Sequence, residues 1–374
     1  MKKILITLVK IGVSVAILGY LVWDAITRGE SAFTDAEGNF VPETLLGVIR
    51  HAGSHAGWLV AACIACASAV LLTMIRWYYL VRALDLQIRL KDALRIGFLG
   101  YLFNLAPMGI VGGDLLKAWL LARRHPGHRP EAVVTVLVDR LIGLYLLFIV
   151  ASVAILVTGF WRSPAPFVQW TCKITLLLTL IGTVGVIIVL IPDLSRGGTT
   201  RWLGRVPKVG LPLLRLIEAV QMYRHKLPVL AAAALMSIAV HSLFTVGIFL
   251  IATGFYDGVP ALGVHFVLSP VSAATGVLPI AMGPFEYMLD RLYMYAPAFG
   301  GGAMALGQGL VVAFGYRIIT IMIAVIGFGY YLGSREEVAE ALHEAEEEAL
   351  EEQQDRPAAT ETATGAQPFY QGSS

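Results

Sequence analysis

Six apolar runs, at residues 4–23, 58–80, 133–160, 174–191, 229–251 and 303–332, constrain this chain more than any other feature, because each is long enough to cross a bilayer. Water cannot solvate so much apolar surface. Of the 374 residues 57% are hydrophobic and 14% charged, against roughly 25% charge in soluble domains. In lipid every backbone N–H and C=O has to bond within the protein, which leaves helices or a closed barrel. The runs are continuous, whereas a barrel strand is an alternating segment of about ten residues. The expected fold class is all-α, a polytopic membrane helix bundle with about six full spans.

Two further segments are apolar but broken. Residues 96–121 contain Asn104, Pro107 and the run Gly109-Ile110-Val111-Gly112-Gly113-Asp114; residues 262–295 contain Pro270, Gly276, Pro279, Gly283, Pro284 and Glu286. Proline and glycine at that density stop helices. Interrupted backbone at membrane depth survives only when buried in protein or lining a wet cavity, so both segments read as re-entrant hairpins or broken helices.

Basic residues orient the bundle. Lys2 and Lys3 place the N-terminus in the cytoplasm, and the run 4–23, interrupted by Lys10, has no small-x-small cleavage site after it and reads as an uncleaved first span. The next cytoplasmic stretch then carries Arg76, Arg82, Arg89, Lys91 and Arg95. Because Arg123, Arg124 and Arg129 directly follow the first broken segment, it must return to the side it left. Residues 193–226, with Arg196, Arg201, Arg205, Lys208, Arg215, Arg224 and Lys226, are cytoplasmic; the loop 253–261 has no Lys or Arg and is external. The last span brings Arg335 back. One hairpin dips from each face, both termini are cytoplasmic, and the expected location is a bacterial-type cytoplasmic membrane.

Charge also divides the chain. Residues 1–334 hold 26 basic against 15 acidic side chains, and residues 335–374 hold 2 against 11. The division expected is a transmembrane domain over 1–334 and an acidic cytoplasmic tail over 335–374, helical over 336–354 and disordered beyond. The tail reads first as a solvating extension; docking on the basic loops is the second reading. Cys63 and Cys66 form a lone C-x-x-C with no second pair to complete a zinc site, and read as small apolar residues on one helix face. Neither a metal nor a cofactor is expected, and no nucleic acid partner.

Asp114, Lys117, Asp139, Arg140, Glu286, Asp290, Arg291 and Arg317 lie within or beside apolar segments, where an ionised group costs at least ~2.5 kcal/mol at the bilayer centre. Such residues are paired or line a pathway. If helix restarts after Gly113, Asp114 sits at its positive end and shares a face with Lys117. Gly283-Pro284-Phe285-Glu286 opens a helix in the same way. Arg140 follows the first hairpin and Arg317 the second, an echo that suggests two inverted halves and a single polar cavity at which Asp114, Arg140, Glu286 and Arg317 converge. Against this stands the reading in which the charges form buried pairs that only fix helix packing. His241 reads as a packed or hydrogen-bonded histidine before a proton relay.

Asn104-Leu-Ala-Pro107, Gly112-Gly113-Asp114-Leu-Leu-Lys117 and Val138-Asp139-Arg140-Leu-Ile-Gly143 resemble the transmembrane region of lysylphosphatidylglycerol synthases and related flippase-like proteins. Leu278-Pro279-Ile280, Gly283-Pro284-Phe285-Glu286 and Tyr316-Arg317 are similar to that family's second, glutamate-ended motif, with Ala281-Met282 standing where proline-glycine is usual. The resemblance spans about residues 58–332, and the tail is too short for the synthases' soluble aminoacyl-transferase domain. It implies movement of a lipid or lipid-linked head group between leaflets, with Asn104, Pro107, Gly112, Gly113, Asp114, Lys117, Asp139, Arg140, Pro279, Gly283, Glu286, Tyr316 and Arg317 as substrate-binding candidates. The expected partners are membrane lipids, phospholipid or polyprenyl-linked; a homo-oligomer or partner synthase is left open. An intramembrane transferase acting on a polyprenyl phosphate or phospholipid is the alternative, although no Asp-x-Asp occurs to hold Mg²⁺. A non-transporting scaffold is the third reading.

Overall fold

The computed structural model describes residues 2–27, 33, 34, 42–105, 112–190, 219–278, 280, 282–296, 304–340 and 344. Every element within them is helical apart from turns and an isolated bridge pair. In chain order the helices are α1 (Lys2–Thr27), α2 (Pro42–Ser54), α3 (Ala56–Ala83), α4 (Leu90–Leu105), α5 (Gly113–Arg124), α6 (Arg129–Thr158), α7 (Pro166–Leu190), α8 (Leu227–Phe255), α9 (Leu262–Ala274), α10 (Pro284–Tyr295) and α11 (Gln308–Leu332). Short 3₁₀ turns follow α6 at Phe160–Arg162 and α9 at Thr275–Val277.

Among the described residues five helices are long and apolar enough to cross a membrane: α3, α6, α7, α8 and α11. The first run forms the 26-residue α1, about 39 Å long at 1.5 Å per residue, whose described apolar part is Gly12–Thr27; the Lys10 side chain lies outside the described residues. Apolar side chains point outward along these helices, including Val157 at 80% exposure and Leu235 at 73%. Only 11% of the apolar window of α7 is buried inside the protein. Surfaces of this kind are solvated by lipid, so the chain is a multi-pass membrane protein.

Small residues let the spans approach. A Cβ at Gly247 of α8 would sit 2.5 Å from Cys66 Sγ of α3, and one at Gly254 would meet Leu59 at 2.9 Å. Cys66 is fully buried there, in keeping with a packing role for the C-x-x-C. Close helix approach through small residues is the usual membrane solution, since dispersion replaces the hydrophobic drive that lipid removes.

Both broken segments fold back. At 16 and 12 residues α4 and α5 reach about 24 and 18 Å, short of the ~30 Å hydrocarbon core. The start of α4 meets the end of α5 through Asp92 and Arg124, 2.9 Å apart, so the segment returns to the end it left. In the second, α9 and α10 have 13 and 12 residues, and His265 near the start of α9 shares a 2.8 Å hydrogen bond with Tyr293 near the end of α10. Tyr223, just before α8, donates to the Leu80 carbonyl near the end of α3 at 3.0 Å. Because α8 then crosses the bundle, the two hairpins enter from opposite ends.

α1 covers the second hairpin: its Asp24 pairs with Arg291 of α10. Asp290, beside it, accepts the N–H groups of Gly307 at 2.9 Å and Leu310 at 3.1 Å, capping α11. At the other end of the bundle residues 335–340 are helical and dock on the first hairpin. Glu337 pairs with Arg95, Glu340 with Arg123 at 2.7 Å, and Val338 is fully buried. The start of the tail is thus packed rather than merely solvated. Its remainder beyond 344, the loop residues 191–218 with Arg205, and Pro107, Pro279 and Ala281 lie outside the described residues.

Candidate functional site

The first hairpin is held by backbone contact. A Cβ on Gly113 would lie 1.8 Å from the Gly100 carbonyl oxygen, and one on Gly100 would lie 2.5 Å from Lys117 Cγ, so only glycine lets α4 and α5 close this far. Gly112, extended at φ −66° and ψ 156°, is the N-cap of α5 and puts Asp114 in its first turn. An acid there faces the positive end of the helix.

Asp114 holds Arg140 of α6 in a two-point grip, Arg140 Nε on Oδ2 at 2.5 Å and a terminal guanidinium nitrogen on Oδ1 at 2.8 Å. Asn104 of α4 reaches Asp114 Oδ1 at 3.5 Å. The pair is partly open, with side-chain exposures of 58% for Arg140 and 34% for Asp114. One residue earlier on α6, Asp139 faces inward and takes Arg76 Nε at 2.8 Å, both side chains being 5% exposed. Arg76 also donates to Ser237 Oγ at 2.7 Å and to the Asp139 carbonyl at 3.2 Å. Gly143 makes room for it: a Cβ there would stand 3.3 Å from the guanidinium.

Lys117 is the third cation. It is buried, its ammonium lies 4.4 Å from the centroid of the Trp77 ring, and it forms no ion pair with a described residue. Trp77 is itself fixed by a 3.2 Å hydrogen bond to Thr135. These charges border a cavity of about 690 Å³. Asn104, Asp114, Lys117, Asp139, Arg140 and Arg76 supply its polar side, Val70, Met74, Leu147 and Phe244 an apolar wall, and Ala273, Gly276 and Val277 of the second hairpin close part of it. His241 borders it too, its Nε2 2.8 Å from the Gly143 carbonyl, which makes it a hydrogen-bonded histidine.

The second motif builds a separate clasp. Gly283 adopts φ +111°, which side-chain-bearing residues rarely adopt, and a Cβ there would also strike Ile17 of α1 at 2.8 Å. It caps α10, and Glu286, fully buried, reaches back to the Gly283 N–H at 2.7 Å while accepting from Arg317 at 2.6 Å. Tyr316 stacks obliquely on Phe285, ring centroids 5.4 Å apart, and edge-on against Phe244 at 6.1 Å.

The acid of each hairpin therefore pairs with the arginine of the span that follows it. Of the four charges expected at one cavity, Asp114 and Arg140 line the cavity described here, and Glu286 and Arg317 are not among the residues lining it. Arg76, expected in a cytoplasmic stretch, is instead inside the bundle at 4% exposure. Its position within the apolar run 58–80 was the available signal. Gly100 and Ser237 carried no comparable mark.

Among the described residues no group of three or more His, Cys, Asp or Glu side chains is arranged to hold a metal ion. Chemically the cavity can accept an anion on Lys117 and Arg140 and an apolar chain along its wall. A search of curated proteins and one of solved structures found no match. A family model for the lysylphosphatidylglycerol synthase TM region matches residues 8–327, a stretch that takes in α1 as well as both hairpins. The chain belongs to the lysylphosphatidylglycerol synthase TM region family, membrane proteins linked to lipid handling.

Proposed function

We propose that the chain moves a lipid or a lipid-linked head group between leaflets, with the head group held in the cavity between the first hairpin and α6. One observation carries this reading: an ionic side built by Asp114, Arg140 and Lys117 faces an apolar wall across a single cavity, at a point where helix is interrupted. A polar head group in hydrocarbon loses several kcal/mol of hydration, and such a cavity returns part of it while leaving the chains in an apolar setting. Arg140 is the exchangeable partner. Its planar fork suits phosphate as well as carboxylate, and the half-open pair with Asp114 can trade one for the other. Arg76 and Asp139, sealed together, hold α3 to α6 behind it. In this reading the substrate is a phospholipid or polyprenyl-linked lipid, the membrane is the cytoplasmic one, and both termini face the cytoplasm.

Reconstitution into vesicles with head-group-labelled lipid tests it. The wild-type protein should equilibrate the label between leaflets, and Asp114→Asn and Arg140→Ala should not, while both variants express as folded protein. Label recovered on a chemically altered lipid would assign the chain to the transferase class. Parallel loss of folded protein in both variants would make the pair structural.

A further inference from the structure

We propose that α2 is an interfacial helix, its face of Leu45, Leu46 and Ile49 seated in the head-group boundary of the leaflet at the end of the bundle where α8 finishes. That end is external in the orientation read from the basic residues. α2 packs against α3 and α8, and His51 Nε2 lies 3.9 Å from the carboxylate of Asp257, in the loop after α8. With about 3.6 residues per turn, Val48, His51 and Ala52 share the side turned to the bundle, where all three are half-buried. Leu45, Leu46 and Ile49 continue the apolar arc outward and are 40, 48 and 59% exposed. Arg50 and Ser54 take the remaining outer side and are exposed as well. A short helix divided in this way lies flat at a membrane surface, apolar arc down and polar arc in water.

Exposed apolar side chains alone do not name what covers them; the tryptophans at this end do. Trp23, Trp58, Trp161 and Trp170 are the exposed tryptophans among the described residues, and all four stand where α8 finishes. Trp23 precedes Asp24, the partner of Arg291 on α10. A Cβ at Gly254 would meet Trp58 at 3.5 Å, and one at Gly263, near the start of α9, would meet Thr158, just before Trp161, at 4.0 Å. Phe167, a turn before Trp170, has its ring centroid 6.3 Å from that of Tyr295 at the end of α10. Indole rings gather at the membrane–water boundary, with the apolar body in lipid and the N–H among head groups. Arg162 and Lys173 stand over Trp161 and Trp170, 4.9 and 5.3 Å from their ring centroids, as cations do at that boundary. This belt marks the level of the bilayer surface. α2 ends at Ser54, one turn before Trp58, and the outer side of α3 runs on through Val60 and Ile64, both exposed. The apolar face of α2 is therefore continuous with a surface that lipid already solvates.

Spin labels on Leu45→Cys, Leu46→Cys, Ile49→Cys, Arg50→Cys and Ser54→Cys, one at a time in the full chain, test this in vesicles of phosphatidylcholine and phosphatidylglycerol. The unsubstituted protein, whose Cys63 is half-buried and Cys66 and Cys172 buried, supplies the background. Relaxation by oxygen, which concentrates in lipid, is compared with relaxation by a water-soluble nickel chelate. The oxygen-to-nickel ratio at positions 45, 46 and 49 should be several-fold higher than at 50 and 54, at a depth of about 5–10 Å below the surface. Nickel-dominated relaxation at all five positions would place α2 in water and overturn the proposal. Exclusion of both reagents from 45, 46 and 49 would mean that a second copy of the chain covers this face, which overturns it as well. Oxygen-dominated relaxation at 50 and 54 too would describe a helix sunk in hydrocarbon and would also refute it. A variant that fails to insert is replaced by its neighbour on the same face, since each of the three apolar positions reports the same contact.

Discussion

Two ion pairs on α6, Arg76 with Asp139 and Arg140 with Asp114, share their chemistry and differ in burial, and burial decides what each can do. Arg76 and Asp139 are sealed at 5% exposure each, so removing one leaves the other charged and unpaired in the interior. Asp139→Ala should cost about 3–5 kcal/mol of stability, and Arg76→Met combined with Asp139→Leu should recover most of it. Thermal unfolding in detergent checks both, and a double variant no more stable than the single would refute the pairing. Asp114→Asn, at a half-open pair, should cost less than about 1 kcal/mol in the same measurement while ending lipid movement. Gly283 is constrained by backbone rather than charge: at φ +111° and against Ile17, Gly283→Ala should lose about 1–3 kcal/mol. The residue types at these positions were legible from sequence because charge inside apolar runs is rare. Arg76 escaped because proximity to Arg82 and Arg89 made it look like part of a basic loop.

Helix breakers marked both hairpins, and the lengths of α4, α5, α9 and α10 show why they cannot span: each ends before about 30 Å is covered. What closes the first is glycine against glycine, Gly100 on Gly113, which composition alone does not single out from the chain's other glycines. The short helix at 335–340 belongs to the same unit. Glu337 reaches Arg95 on α4 and Arg124 on α5, so it ties the two legs together, and Val338 is seated under them. Val338→Asp should release this helix, seen as faster amide exchange over residues 335–340. Glu340→Gln should leave exchange nearly unchanged, because its pair with Arg123 is 61% and 40% exposed and such pairs contribute little. Equal effects of the two changes would mean that charge rather than burial holds the tail.

Across the whole molecule the basic ends of α4 and α5 and the start of the tail gather at one end, with Asp257, its side chain 94% exposed, after α8 has crossed the bundle. Cysteine placed at Arg124 or Arg205 should be labelled from the cytoplasmic side and cysteine at Asp257 from the other. Labelling of positions 124 and 257 from the same side would contradict the crossing of α8. The membrane class, five of the six expected spans and the two interruptions followed from sequence alone, since apolar length and helix breaking are local properties that lipid makes decisive. That a span bearing an arginine follows each hairpin acid was also readable. Where those pairs sit was not. Burial depends on what other helices bring: Ser237 and Gly143 seal Arg76 onto Asp139, α1 covers Gly283, and Trp77 holds Lys117 at the cavity edge. The sequence determined that charges would lie inside the bundle, and the tertiary structure decided which are locked together and which face open space, because desolvation is set by neighbours far away in the chain.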